Sequence, residues 1–164
     1  MRKIFSTLFM LMFCSVVMAQ DIEGFWKRLN AKTGNTQCVI SIYPYKGLYY
    51  GRIIATFYPD GKMKETLYAP KQRAENVAGS PYYCGMDLLR NVKASGSRYR
   101  GKIVDPRNGR AYNAAVWNKE GDLVIRGELF IFGKSETWFP LQEGDFPPDF
   151  KMPDPAKFVP STGL

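Results

Sequence analysis

The stretch YRGKIVDPRNGRAYNAAVWNKEGDLVIRGELFIFGKSETW, residues 99–138, decides the fold. Four short apolar runs are separated by Asp105-Pro-Arg-Asn-Gly109, Asn118-Lys-Glu-Gly-Asp122 and Phe132-Gly-Lys134. Each break carries a residue that tolerates positive φ, as tight turns between antiparallel strands often require. Residues 98–104 alternate most cleanly, with Arg98, Arg100 and Lys102 on one face and Tyr99, Gly101 and Ile103 on the other. A two-residue period marks a half-buried strand. The same rule turns Tyr112, Ala114 and Val116 inward on the next strand. It then turns Leu123, Ile125 and Gly127 inward on the one after, with Arg126 and Glu128 outside.

Upstream the pattern repeats. A first strand opens at Asp21-Ile-Glu-Gly-Phe-Trp26 and runs to about residue 30. Residues 37–43 set Cys38, Ile40 and Ile42 against Val39, Ser41 and Tyr43. Residues 48–57 place Tyr49, Ile53, Ala55 and Phe57 on one face around Gly51, a glycine that suits a bend or a close approach. Between residues 63 and 82 the periodicity dissolves around Pro70 and Pro81, which predicts a long loop with one helical turn near residues 72–76. Strand pattern resumes over residues 83–92, and a last strand covers residues 135–141. About eight strands joined by short turns should be antiparallel neighbours, and closure removes their exposed edges. The expected fold is all-β, an antiparallel up-and-down barrel of about eight strands. After it, Pro147, Pro148, Pro153, Pro155 and Pro160 exclude helix and central strand. Phe146, Phe150 and Phe158 give this tail apolar anchors, so it either lies extended along the barrel or stays disordered.

The chain of 164 residues suits one domain, and 15% aromatics with 15 glycines favour sheet over helical bundle. Residues 1–19, MRKIFSTLFMLMFCSVVMA, have the positive start, apolar run and small final residues of a secretory signal cleaved before Gln20. The apolar run is short for a bilayer span, and Phe13 before Cys14 argues against lipid attachment. The plan is therefore a signal over residues 1–19, a barrel over 20–141 and a tail over 142–164. The expected place is the periplasm or cell envelope, with no stable membrane span after cleavage. Losing Arg2 and Lys3 takes the formal net charge from +8 to about +6. The basic residues are scattered rather than clustered, which fits a soluble basic protein in an acidic envelope and not a nucleic-acid binder.

Cys38 and Cys84 remain after cleavage. In an exported chain such a pair reads either as a disulfide, worth about 4 kcal/mol for a loop of this length, or as two buried thiols.

Two sets of residues carry a resemblance. Gly24-Phe-Trp26 at the start of the first strand resembles the G-x-W signature of lipocalin-like barrels. That resemblance implies a structural Trp26 packed across the closed end, often under a basic residue from a late strand. The second set runs through much of the chain. It comprises Tyr50-Gly-Arg-Ile53, Cys84-Gly-Met-Asp-Leu-Leu-Arg-Asn-Val92 and Gly101-Lys-Ile-Val-Asp-Pro-Arg-Asn-Gly-Arg-Ala-Tyr112, then Leu123-Val-Ile-Arg-Gly127 and Gly133-Lys-Ser-Glu-Thr-Trp138. In order and spacing these resemble the uncharacterised bacterial family called domain of unknown function 2147. The resemblance implies an exported small barrel, without an established activity, with Gly24, Asp105, Gly109, Gly127 and Trp138 structural. That family usually closes with W-x-R, whereas Trp138 is followed here by Phe139-Pro140, which leaves Arg126 as the expected cap on Trp26.

The chain contains no histidine, which removes the commonest general base and transition-metal ligand. No phosphate loop, dinucleotide fingerprint or zinc ligand set is present, so no cofactor or metal is expected. Asp105 before Pro106 reads as a turn former. Glu128 and Glu136 read as solvent-facing or paired with Arg126 and Lys134. Cys84 has no adjacent cation to activate it. Enzyme function is not expected. Instead, a barrel of this size can hold one small apolar or amphipathic ligand, lined by Tyr49, Ile53, Phe57, Tyr99, Ile103 and Tyr112. The alternative is a surface module, with Tyr45, Tyr50, Trp117 and Phe139 among Arg52, Arg98 and Arg100 binding envelope glycan, anionic polymer or a partner protein.

Overall fold

A computed structural model describes residues 21–129 and 132–161. The expected signal segment and Cys14 lie outside the described residues. Among the described residues nine strands follow one another: β1 Gly24–Leu29, β2 Thr36–Tyr45, β3 Leu48–Phe57, β4 Met63–Thr66, β5 Asp87–Ser95, β6 Arg98–Val104, β7 Ala111–Lys119, β8 Asp122–Leu129 and β9 Phe132–Pro140. The ladder runs β2-β1-β9-β8-β7-β6-β5-β3-β4, and β2 also pairs with β3. Eight strands therefore close into an antiparallel up-and-down barrel, and β4 is an extra strand on the side of β3.

The inward faces follow the two-residue period. Ile40, Ile42, Leu89, Ala114, Val116, Leu123 and Ile125 share one buried interior with Trp26 and Trp138. Gly51 and Gly101 are close approaches. A Cβ on Gly51 would sit 2.9 Å from Leu89 Cβ, and one on Gly101 would sit 2.6 Å from Val92 Cγ2. The turn after β6 is anchored by Asp105, whose carbonyl accepts from the Gly109 N–H at 2.8 Å. Gly109 has φ +70°, and a Cβ there would meet the Asn76 carbonyl oxygen at 1.8 Å, so the turn packs directly on the long loop.

That loop departs from expectation. It has no helical turn at residues 72–76; instead it contains β4, and an isolated bridge joins Arg73 to Tyr82. Its small apolar residues Ala74 and Val77 are buried in the barrel core. The buried Glu65 carboxylate holds the crossing, accepting from the N–H groups of Lys71 and Gln72 at 2.6 and 2.9 Å. Sequence periodicity cannot register such a segment, because its order comes from isolated backbone bonds and the Glu65 carboxylate rather than from a regular repeat.

A second departure lies in β3. Val39 pairs with Ala55 while the next residue, Ile40, pairs with Ile53, so Ile54 is an extra residue in a β-bulge. The bulge reverses the alternation. Thr56 joins inward Cys38, and Ala55 joins outward Val39. Tyr49, Ile53, Ala55 and Phe57 thus do not share one face. Phe57 stands at the rim, its ring 6.0 Å from Phe146.

Residues 141–161 lie against the outer wall of β1–β3 through turns and a 3-10 turn at Pro155–Lys157. Asp145 pairs with Lys27 at 2.8 Å, and the Phe158 ring meets Tyr43 edge-on at 5.1 Å. This cover accounts for a full burial of Tyr43, although it points away from the lumen.

Candidate functional site

The two ends of the barrel differ. At one end Ile22, Trp26, Ile42, Val92, Val116, Leu123 and Trp138 are buried together. Tyr49 and Tyr99 pack edge-to-face there, with ring centroids 5.6 Å apart. Burial pushes both tyrosine hydroxyls above their ordinary range. Trp26 donates its indole N–H to the Ile22 carbonyl at 3.0 Å. Arg126 is not its cap: it lies on the outer face of β8, and a Cβ on Gly133 would sit 2.7 Å from Arg126 Nε. This end is plugged.

The opposite end is open. It is formed where β1, β3, β6 and β8 end and where β2, β7 and β9 begin, and it leads into a cavity of about 430 Å³. That volume is within the range of small-molecule sites, about 300–1,000 Å³. Ile40, Ile53, Leu88, Ile103, Ile125 and Trp138 form its apolar depth. Gly127 faces this space, where an added Cβ would make only an ordinary 3.6 Å contact with Ile103. Of the residues expected to line a ligand site, Ile53, Phe57, Ile103 and Tyr112 line this cavity. Tyr49 and Tyr99 belong instead to the plug.

The mouth carries charge that the sequence reading placed elsewhere. Trp138 faces inward opposite Leu123, so the strand period turns Glu136 and Lys134 inward as well, opposite Ile125 and Gly127. Glu136 does not pair with Lys134. Its carboxylate accepts from the Trp138 indole at 2.9 Å and pairs with Arg28 at 3.0 Å. Glu128 pairs with Arg100 at 3.1 Å rather than with Arg126. On the other side of the mouth Asp105 accepts from Arg107 Nε and Nη2 at 3.0 and 2.8 Å. The hydrogen bonds from Arg107 hold the Asp105 carboxyl below the usual range. Alternation alone contained this signal: counting back in twos from inward Trp138 reaches both charged residues.

Cys38 and Cys84 are free buried thiols, not a disulfide. Burial pushes each thiol up to about 12, and Cys84 lies 3.6 Å from the Glu65 carbonyl. A thiol held protonated in this way is a small apolar side chain rather than a nucleophile.

The cations expected on a binding surface are engaged within the chain. Arg98 stacks over Trp117 at 4.2 Å, and Arg52 is held by Asp87 at 2.9 Å. Among the described residues no helix is long and apolar enough to cross a membrane.

Residues 24–139 match a family described as an uncharacterized protein conserved in bacteria, DUF2147. The chain belongs to this family. No curated protein and no solved structure matches it. The DUF2147 match spans β1 to all but the last residue of β9, so it takes in the whole closed barrel and both of its ends.

Proposed function

We propose that this DUF2147 chain is an exported, non-enzymatic binding protein that holds a small apolar or amphipathic molecule in the open end of its barrel. The observation that carries this reading is the asymmetry of the lumen. One end is filled by tryptophan and tyrosine rings, and the other keeps about 430 Å³ of space over an apolar floor. A stably folded core is close-packed, so retained space at one end points to an occupant.

Ile103→Trp tests the reading, because Ile103 lines the cavity rather than the plug. A neutral dye that brightens in apolar surroundings should be taken up by the native chain. The tryptophan variant should lose that uptake while keeping its cooperative unfolding. Equal uptake by both chains would sink the proposal.

A further inference from the structure

We infer that the occupant is an amphipathic carboxylate, its chain in the apolar depth and its acid group at the mouth. This rests on the binding reading above and adds the ligand's charge. Four cations, Arg28, Lys64, Arg107 and Lys134, line the cavity against two carboxylates, Asp105 and Glu136. Both carboxylates are already matched. Arg107 grips Asp105 through two nitrogens, and Arg28 pairs with Glu136, whose other oxygen takes the Trp138 indole.

Lys64 and Lys134 are left without a carboxylate among the described residues. Lys64 donates only to the neutral Gln72 side chain and lies 5.9 Å from the Tyr58 ring centroid. Lys134 stands exposed on β9 opposite Gly127, above the space that this glycine leaves. The two unmatched positive charges of the lining repel a cationic head and give a neutral one no charge to pair with. They attract an anion, and the low-dielectric wall focuses that field toward the opening. The Arg107 fork is held by Asp105 and one Arg28 nitrogen lies on Glu136, so the acid group meets the two lysines as point charges, and the single charge of a carboxylate stays within the two positive charges they offer.

The experiment is competition against N-phenyl-1-naphthylamine, a neutral apolar dye, bound to the full mature chain at low salt. Decanoate, decanol and decyltrimethylammonium share a chain length and differ in head charge. Decanoate should displace the dye at about ten-fold lower concentration than decanol, the scale of two partly exposed charge contacts. The ammonium should be the weakest competitor. In Lys64→Met with Lys134→Met the ratio of decanoate to decanol should fall toward one, and added salt should compress it in the native chain.

Equal displacement by all three would overturn the carboxylate inference and leave the cavity reading standing. Failure of the dye and of all three competitors to bind, checked by native mass spectrometry, would overturn both. A decanoate preference that survives the double substitution would also reject the assignment to these lysines.

Discussion

Arg52 closes onto Asp87 with Nε 3.0 Å from one carboxylate oxygen and Nη2 2.9 Å from the other. Asp87 is fully buried, and it also accepts from the Tyr43 hydroxyl at 2.9 Å and from the Ser161 N–H and hydroxyl at 2.6 and 3.0 Å. Arg52 in turn donates to the Val159 carbonyl and stacks over Phe158 at 4.7 Å. One carboxylate thus fastens the C-terminal segment to the wall of the barrel.

Removing it should be costly. Asp87→Ala strands a largely buried guanidinium and leaves Tyr43 and Ser161 without their acceptor, so the expected loss is about 3–5 kcal/mol. Urea unfolding measures it. Proteolysis should also cut residues 142–161 in the variant under conditions that spare the native chain. A loss below about 1 kcal/mol with an intact tail would mean that the clasp is ornamental.

Two strand glycines should behave oppositely. Gly127→Leu projects into the cavity, so it should abolish dye uptake and change stability by less than about 1.5 kcal/mol. Gly101→Ala drives a methyl into Val92 and toward the Arg90 carbonyl oxygen, 2.7 Å away, and should cost about 1–3 kcal/mol. Thermal melts and dye titration on the two variants check both halves. Retained dye uptake in Gly127→Leu would place the ligand elsewhere.

Acid should weaken the mouth through Asp105. Its carboxyl value is depressed by Arg107 in the folded chain. Its stabilisation is therefore complete above the unfolded value of about 3.9 and is lost as pH falls through the lower folded value. Arg107 is largely exposed, so solvent screens the pair and the effect is small. Comparing Asp105→Asn with the native chain, the gap in melting temperature should shrink as pH drops below about 4. A gap independent of pH would mean that the turn depends on the Asp105 acceptor geometry and not on its charge.

The thiols predict the opposite slope. Each is pushed up to about 12 by burial, so the unfolded chain loses these protons at lower pH than the folded one. Stability should fall as pH rises above the ordinary thiol value of about 8.5. In non-reducing buffer Cys38 and Cys84 should resist a thiol reagent in the native chain and react at once in denaturant. Silence in denaturant would show that they had oxidised to a disulfide.

Ser41 supplies a stabilising change. It is fully buried on the covered wall, and its hydroxyl has no hydrogen-bond partner among the described residues. Ser41→Ala removes an unsatisfied donor and should raise stability by about 1 kcal/mol, read from the urea midpoint. A decrease would reveal a bound water at that hydroxyl.

The barrel was legible in the chain because its signals are local. Alternation over residues 98–127 orients Tyr99, Ile103, Tyr112, Leu123 and Ile125 without knowledge of any neighbour, and the turn residues between the runs make those neighbours antiparallel. Closure followed from the need to pair every edge. The bulge at Ile54 was not legible, because an extra residue is defined only against the partner strand β2. Nor was the pairing of Glu136 with Arg28, because β1 and β9 lie at opposite ends of the barrel sequence and meet only when the barrel closes.

The sequence by itself determined a closed antiparallel barrel and the direction in which most of its apolar side chains point. Only the tertiary structure decided which end is filled and which is open. Tyr99 and Ile103 occupy equivalent inward positions of one strand, yet Tyr99 meets Tyr49 in the plug and Ile103 faces the cavity. The difference arises from segments distant in the chain, with Ile22 and Trp26 packed into one end and Gln72 and Tyr83, from the loop after β4, lining the cavity at the other. Burial is a sum over such non-local neighbours, and a two-residue period carries no information about that sum.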